Sequence, residues 1–233
     1  MRSMNARRIA GAFAQVVAIA ALVNVFVGIT ANGARAESQK SLHIVAFGDS
    51  LFSGYGLRSS QAFPAQLQKE LKAAGHNVVI SNAGVAGDTT ADGLKRIAWA
   101  VPDNTDAVIL EFGANDALRG IDPQQARANL EKLIAKLQER RLPILLAGMH
   151  APANWGEHYS EDFDAIFPEL ARKHDLILYP FFLDGVIFDT KLNQDDGMHP
   201  NPRGVGEIVK RIMPSVEQLI TRASAHREPQ TKS

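Results

Sequence analysis

Five short apolar runs, separated by segments of helical period, constrain this chain more than anything else in it. The runs are 42–47 (LHIVAF), 77–81 (NVVIS), 106–112 (DAVILEF), 142–147 (LPILLA) and 175–179 (DLILY). Each is too short for a helix of its own, and several are continuously apolar, as in strands covered on both faces. Between them, 62–74 places Phe63, Leu67 and Leu71 at spacings of four and stops at Gly75, which predicts a helix. Residues 90–100 and 160–173 predict two more. Asp122-Pro123 caps and opens a helix carrying Ala126, Leu130, Leu133, Ile134 and Leu137 on one face. Asn201-Pro202 opens the last, with a stripe from Val205 to Leu219, a kink expected at Pro214 and a loose tail after about Thr221. Strand and helix alternate with short connections. That implies βαβ units, a parallel sheet and helices on both of its faces.

The 233 residues fit one domain. The 25 basic and 25 acidic residues cancel, so no global field favours nucleic acid as a partner. Cysteine is absent, which excludes disulfides, thiol nucleophiles and cysteine-bound zinc. The N-terminus has the form of a secretory leader: Arg2, Arg7 and Arg8, an apolar run from Ile9 to about Ala31, then Ala34-Arg35-Ala36. Cleavage is expected after Ala36, with residues 1–36 as signal peptide and 37–233 as the working domain in the periplasm or outside the cell. The competing reading is an uncleaved anchor, because the run approaches spanning length. Gln15 and Asn24 interrupt that run.

In open parallel sheets, sites lie at the carboxyl ends of the strands. The loops there read Gly48-Asp49-Ser50-Leu51, Asn82-Ala83-Gly84-Val85-Ala86-Gly87-Asp88-Thr89, Gly113-Ala114-Asn115-Asp116, Met149-His150-Ala151-Pro152-Ala153-Asn154 and, further on, Asp195-Asp196-Gly197-Met198-His199-Pro200. Taken singly, each has a plain explanation. Asp49 and Ser50 are common helix caps, Gly84 suits a turn, Asn115 suits a cap, and Asp196 and His199 could sit in a surface loop. Taken together, they supply one chemistry. A serine hydroxyl needs a base to remove its proton. A histidine base needs an acceptor on its other ring nitrogen. The tetrahedral oxyanion of acyl transfer needs fixed donors, and each is typically worth about 3–4 kcal/mol. Ser50, His199 and Asp196 meet the first two needs. The N–H groups of Ser50 and Gly84 and the Asn115 amide could meet the third. A metal site at Asp189, Asp195, Asp196 and His199 is conceivable on paper, but it would hold a single imidazole.

Gly-Asp-Ser-Leu, Gly84, Gly-Ala-Asn-Asp and Asp-Gly-Met-His resemble, in order, the four sequence blocks of the SGNH (GDSL) hydrolases. "GDSLFSGYGL", "NAGVAGDTTADGL", "EFGANDALRGIDP", "PANWG" and "QDDGMHPN" look like the bacterial thioesterase I/lysophospholipase and arylesterase branch, over about residues 43–220. The resemblance implies a three-layer α/β/α, flavodoxin-like fold with a five-stranded parallel sheet. It places the nucleophile at Ser50, the triad at Ser50, Asp196 and His199, and the oxyanion donors at Ser50, Gly84 and Asn115. Asp49 becomes a loop partner, and Asp116 and Asp195 structural groups. The loops 85–90 and 149–156 become pocket walls. No Gly-x-Ser-x-Gly elbow is present, which argues against an α/β-hydrolase.

The chain is therefore expected to be a monomeric serine ester hydrolase needing no cofactor or metal. Its expected substrates are short- to medium-chain acyl esters, aryl esters or thioesters, with membrane-derived lysophospholipids as a further possibility. Leu118, Phe163, Phe167 and Ile187 are expected to line the acyl pocket. Two alternatives stand. One is a carbohydrate O-acetylesterase, with Trp155 and Tyr159 stacking on sugars, although a core or lid role suits them better. The other is a periplasmic anion-binding module using Gly84–Gly87, which leaves Asp196 and His199 unexplained. Nucleotide-binding signatures are absent.

Overall fold

The computed structural model describes residues 40–227. The expected leader, residues 1–36, lies outside the described residues. Five parallel strands form one sheet: β1 (Leu42–Gly48), β2 (Val78–Gly84), β3 (Ala107–Glu111), β4 (Ile144–Ala147) and β5 (Ile177–Tyr179), in the order β2-β1-β3-β4-β5. Strands β3 and β4 are buried throughout and β1 nearly so, as their unbroken apolar runs require. The edge strand β2 is half exposed.

The helices are α1 (Ser50–Ser53), α2 (Phe63–Ala73), α3 (Thr90–Ala100), α4 (Ala114–Leu118), α5 (Pro123–Glu139), α6 (Glu157–Asp164), α7 (Ile166–Lys173) and α8 (Pro202–Arg227). Their starts follow local chemistry. Asp49 caps α1 by accepting the Leu51 N–H. Thr89 and Asp92 form a reciprocal capping box on α3. Asp122 accepts from Gln124 ahead of Pro123 on α5.

Three sequence expectations need correction. The helix expected over 160–173 is two, α6 and α7, meeting at Ala165. Pro168 has no N–H to donate back to Asp164, so the hydrogen-bond ladder breaks there. The loose tail after Thr221 is instead helix through Arg227. Ala223 continues the buried stripe, and Arg227 donates to the Lys40 and Ser41 carbonyls and pairs with Asp106. Finally, Phe163 and Phe167 do not line a pocket. They are fully buried beneath Gly113, with ring atoms 3.2 Å from where a Cβ on that residue would lie. Leu118 and Ile187 are exposed.

Candidate active site

Ser50 opens α1 at the carboxyl end of β1, in a turn fixed from both sides. Phe52 drives into the core, stacking on Phe63 and meeting Phe182 edge-on. The 193–199 loop reaches the same rim from the far side of the chain. Gln194 staples it there, donating to the Tyr55 and Pro200 carbonyls while its own N–H bonds the His199 carbonyl.

The arrangement brings Ser50 together with His199, 149 residues further on, and with Asp196 in the same loop as His199. Ser50 Oγ lies 2.9 Å from His199 Nε2, and His199 Nδ1 lies 2.7 Å from Asp196 Oδ2. The other oxygen of Asp196 accepts the backbone N–H groups of Met198 and His199, each at 2.9 Å. Partial burial alone would push this carboxyl up. The His199 N–H, its imidazole and the Met198 N–H outweigh that effect and bring it down to about 2. Asp196 therefore stays ionised across the range in which an ester hydrolase works. The Tyr55 ring lies over the imidazole, 4.7 Å between centroids.

The expected oxyanion donors differ in their state. The Ser50 N–H has no protein acceptor among the described residues. Asn115 Nδ2 donates to Asp49 Oδ2 at 2.9 Å and to the Asp88 carbonyl at 3.0 Å, so its amide is at the site with both protons engaged. The Gly84 N–H is taken by Asn82 Oδ1 at 2.9 Å. Gly84 is glycine for a packing reason, because a Cβ there would lie 2.3 Å from the Ser53 nitrogen. Gly87, three residues on, has a left-handed φ of +85° and an N–H without a protein acceptor among the described residues. Its neighbour Asp88 is the residue that Asn115 touches.

Two buried charged groups escaped the sequence reading. Glu111 ends β3 with no exposed surface; its Oε2 accepts the Asp49 N–H at 3.2 Å and its Oε1 has no hydrogen-bond partner among the described residues. The available signal was an acid inside the otherwise apolar DAVILEF run. Burial pushes the Asp49 carboxyl up to about 6. Burial, and then the charge of Asp49, pushes Glu111 well above the ordinary carboxylate range. Two carboxyls in one dry site do not both ionise cheaply, so Glu111 is the neutral partner. Arg96 on α3 is the second such group.

A carboxyl whose folded pKa is raised keeps its proton in the folded state after the unfolded chain has released it. Stability is then full below the unfolded value, here about 4.5, and falls as pH rises toward the folded value. Glu111→Gln keeps the shape and the acceptor for Asp49 but cannot ionise. The variant is expected to match the wild type in urea unfolding at pH 4 and to exceed it at pH 9 by the ~1–3 kcal/mol that an uncompensated buried polar group costs. Parallel stability curves would show that Glu111 titrates in the fold as it does in the unfolded chain, with no raised pKa.

The remaining groups act as supports. Asp116 accepts both the N–H and the hydroxyl of Thr90, and burial raises its pKa. Trp155 donates to the Ala117 carbonyl and Tyr159 to that of Ile121, latching the loop after β4 onto the loop after β3. His150 pairs with Asp164 at 2.6 Å and rests on Phe181, pinning the start of the same loop. Among the described residues no cluster of acids, histidines or cysteines could hold a metal.

A parallel α/β sheet with a serine, an imidazole and a carboxylate in hydrogen-bonded sequence at its carboxyl rim has the arrangement of a serine hydrolase. The chain belongs to the GDSL-like Lipase/Acylhydrolase family, whose profile matches residues 46–205. It is 37% identical over 168 residues to an arylesterase of Vibrio mimicus, covering 72% of this chain and 84% of that one. It is 36% identical over 159 residues to thioesterase 1/protease 1/lysophospholipase L1 of Escherichia coli K12, covering 68% and 75%. Among solved structures it resembles AlinE4, an SGNH-hydrolase family esterase, at 48% identity and a TM-score of 0.66, covering 77% of this chain and 96% of that one. These relatives establish a serine esterase or thioesterase function.

Proposed function

We propose that Ser50, His199 and Asp196 form the catalytic triad of this hydrolase. The observation that carries the reading is the continuous chain Ser50 Oγ–His199 Nε2–His199 Nδ1–Asp196 Oδ2, with both contacts under 3 Å. Ser50 Oγ attacks the acyl carbonyl and forms the new C–O bond. His199 takes the hydroxyl proton at Nε2, while Asp196 holds the proton on Nδ1 and stabilises the imidazolium. His199 returns its proton to the departing alcohol or thiol, and the bond from carbonyl carbon to leaving group breaks. Water, deprotonated by the same nitrogen, then releases the carboxylic acid and regenerates Ser50. No step calls for a metal or cofactor.

The oxyanion forms against the Ser50 N–H, the Asn115 amide and the Gly87 N–H, Gly87 replacing the Gly84 of the sequence expectation. Gly84 is already committed to Asn82, whereas Gly87 is free and adjacent to the Asn115 contact. Asn115 would share one proton between its present acceptor and the developing charge. The substrates are short- to medium-chain acyl esters, aryl esters and thioesters, with lysophospholipids included, hydrolysed outside the cytoplasm after removal of residues 1–36. In the sugar-ester alternative Trp155, which is exposed, and Tyr159 would offer their ring faces, since their polar tips hold backbone carbonyls.

The test pairs a covalent trap with a chain-length series. Diethyl p-nitrophenyl phosphate should inactivate the mature chain with one adduct per molecule, on the peptide carrying Ser50. Rates on p-nitrophenyl esters from acetate to palmitate should peak at short to medium length. An adduct elsewhere, or inhibition without an adduct, would refute the triad.

A further inference from the structure

Arg96 is a cation placed where a helix normally puts a hydrocarbon. Its neighbours on the buried stripe of α3 are Gly93, Ile97 and Ala100, and Arg96 itself is 6% exposed. Its guanidinium carbon lies 4.6 Å from the centre of the Phe47 ring and 5.7 Å from that of Phe112. Dehydrating a guanidinium is costly, and a well-packed apolar side chain often serves stability as well or better. What an apolar residue could not do is make the bonds that Arg96 makes.

Those bonds converge on the catalytic rim. Nη2 donates to the Gly48 carbonyl at 2.8 Å, immediately ahead of Asp49 and Ser50. Nη1 donates to the Ala83 carbonyl at 2.8 Å, and Nε to Asp88 Oδ2 at 2.5 Å. The Gly48 carbonyl also accepts the Val85 N–H, and the Asp88 N–H closes the turn back to the Val85 carbonyl. One planar fork thus ties the nucleophile turn to both ends of the loop that carries Gly87. The Ala83–Gly84 peptide is planar, so holding its carbonyl also fixes its N–H. That N–H is directed to Asn82, which leaves the N–H groups of Ala86 and Gly87 without acceptors among the described residues, and Gly87 is the one that adjoins the Asn115 contact at Asp88. At the far end, Asp88 is held by its carboxylate on Arg96 and receives Asn115 on its carbonyl.

We propose that Arg96 is a positioning residue that sets the spacing of the oxyanion donors, by clamping the 84–88 loop to the Ser50 turn; this rests on the serine-hydrolase reading above. Arg96 touches no reacting atom. It acts through Gly48, Ala83 and Asp88, and its effect belongs to the transition state rather than to substrate binding. Lysine cannot replace it, because an ammonium lacks the planar fork that spans three acceptors.

The experiment measures kcat and KM on p-nitrophenyl butyrate for the wild type, Arg96→Lys and Arg96→Gln, with thermal melting of each. Ser50→Ala sets the background. Folded variants are expected to lose about 10–100-fold in kcat, a fraction of what deleting an oxyanion donor costs, with KM within about twofold of wild type. Added guanidinium ion at millimolar concentration should restore part of the loss in an Arg96→Ala variant. Asp88→Asn, which keeps an acceptor oxygen for Nε, is a milder second probe for use if the Arg96 variants do not fold; it should lower kcat in the same selective way. Full kcat in folded variants, or a rise in KM alone, would overturn the role of Arg96 while leaving the triad intact. Wild-type hydrolysis indifferent to Ser50 would overturn the triad, and this inference with it.

Discussion

Ser50→Ala is expected to lower kcat/KM on p-nitrophenyl butyrate by about 10⁴–10⁶-fold while shifting the melting temperature by no more than about 2 °C. The first half follows from the chemistry. Without Oγ there is no acyl-enzyme, and His199 is left to activate a water that nothing positions. The residual rate is what the oxyanion donors and substrate binding supply alone. The second half follows from the packing. Ser50 is half-buried, and among the described residues its hydroxyl bonds only His199. The turn is secured by other groups: the Asp49 cap on Leu51, the Asn115 amide on Asp49, and Phe52 among the core rings. Losing one hydroxyl from such a turn is a surface-scale change. Kinetics and a melting curve on the same preparation check both halves. A loss of less than about tenfold in a folded variant would refute nucleophilic catalysis by Ser50.

What could be read from the residues, and what could not, divides along a physical line. Strands β1, β3 and β4 are legible because a strand buried on both faces must be apolar at consecutive positions. The proposed triad is legible because its members are few, of fixed chemical type and confined to loops on the carboxyl side of the sheet. Asp196 and His199 also carry their geometry locally, three residues apart. The oxyanion loop is different. "NAGVAGDTT" offers two glycines, each after a small residue, and nothing in the string separates them. Only the folded loop does so, where Gly84 is spent on Asn82 and packed against Ser53, while Gly87 takes the left-handed turn. Arg96 and Glu111 were hidden for a related reason. A charged residue in an amphipathic helix or at a strand end is read as solvated, and its burial depends on partners tens of residues away. The break between α6 and α7 was the avoidable error, since Pro168 announces a missing donor.

Asp196→Asn offers the sharpest test of the dyad, because the loop decides which way the amide must face. In the wild type one carboxylate oxygen accepts two backbone N–H groups, from Met198 and His199, and the other faces His199 Nδ1. An asparagine keeps those two backbone bonds only by placing its carbonyl oxygen there. Its NH₂ group must then point at Nδ1. A donor at that position requires Nδ1 to be the acceptor, so the ring proton moves to Nε2. An imidazole protonated at Nε2 donates to Ser50 Oγ instead of accepting from it, and the base is lost. The expected fall in kcat/KM is about 10⁴-fold, with the loop and the fold retained. Asp196→Ala removes the orienting acceptor without imposing the wrong tautomer, so Asn should be no more active than Ala despite its closer shape. Nitrogen-15 spectra of His199 supply the independent check: the neutral ring should carry its proton on Nδ1 in the wild type and on Nε2 in the Asn variant. Asn activity within about tenfold of wild type would mean that the Asp196 carboxylate does not set the His199 tautomer.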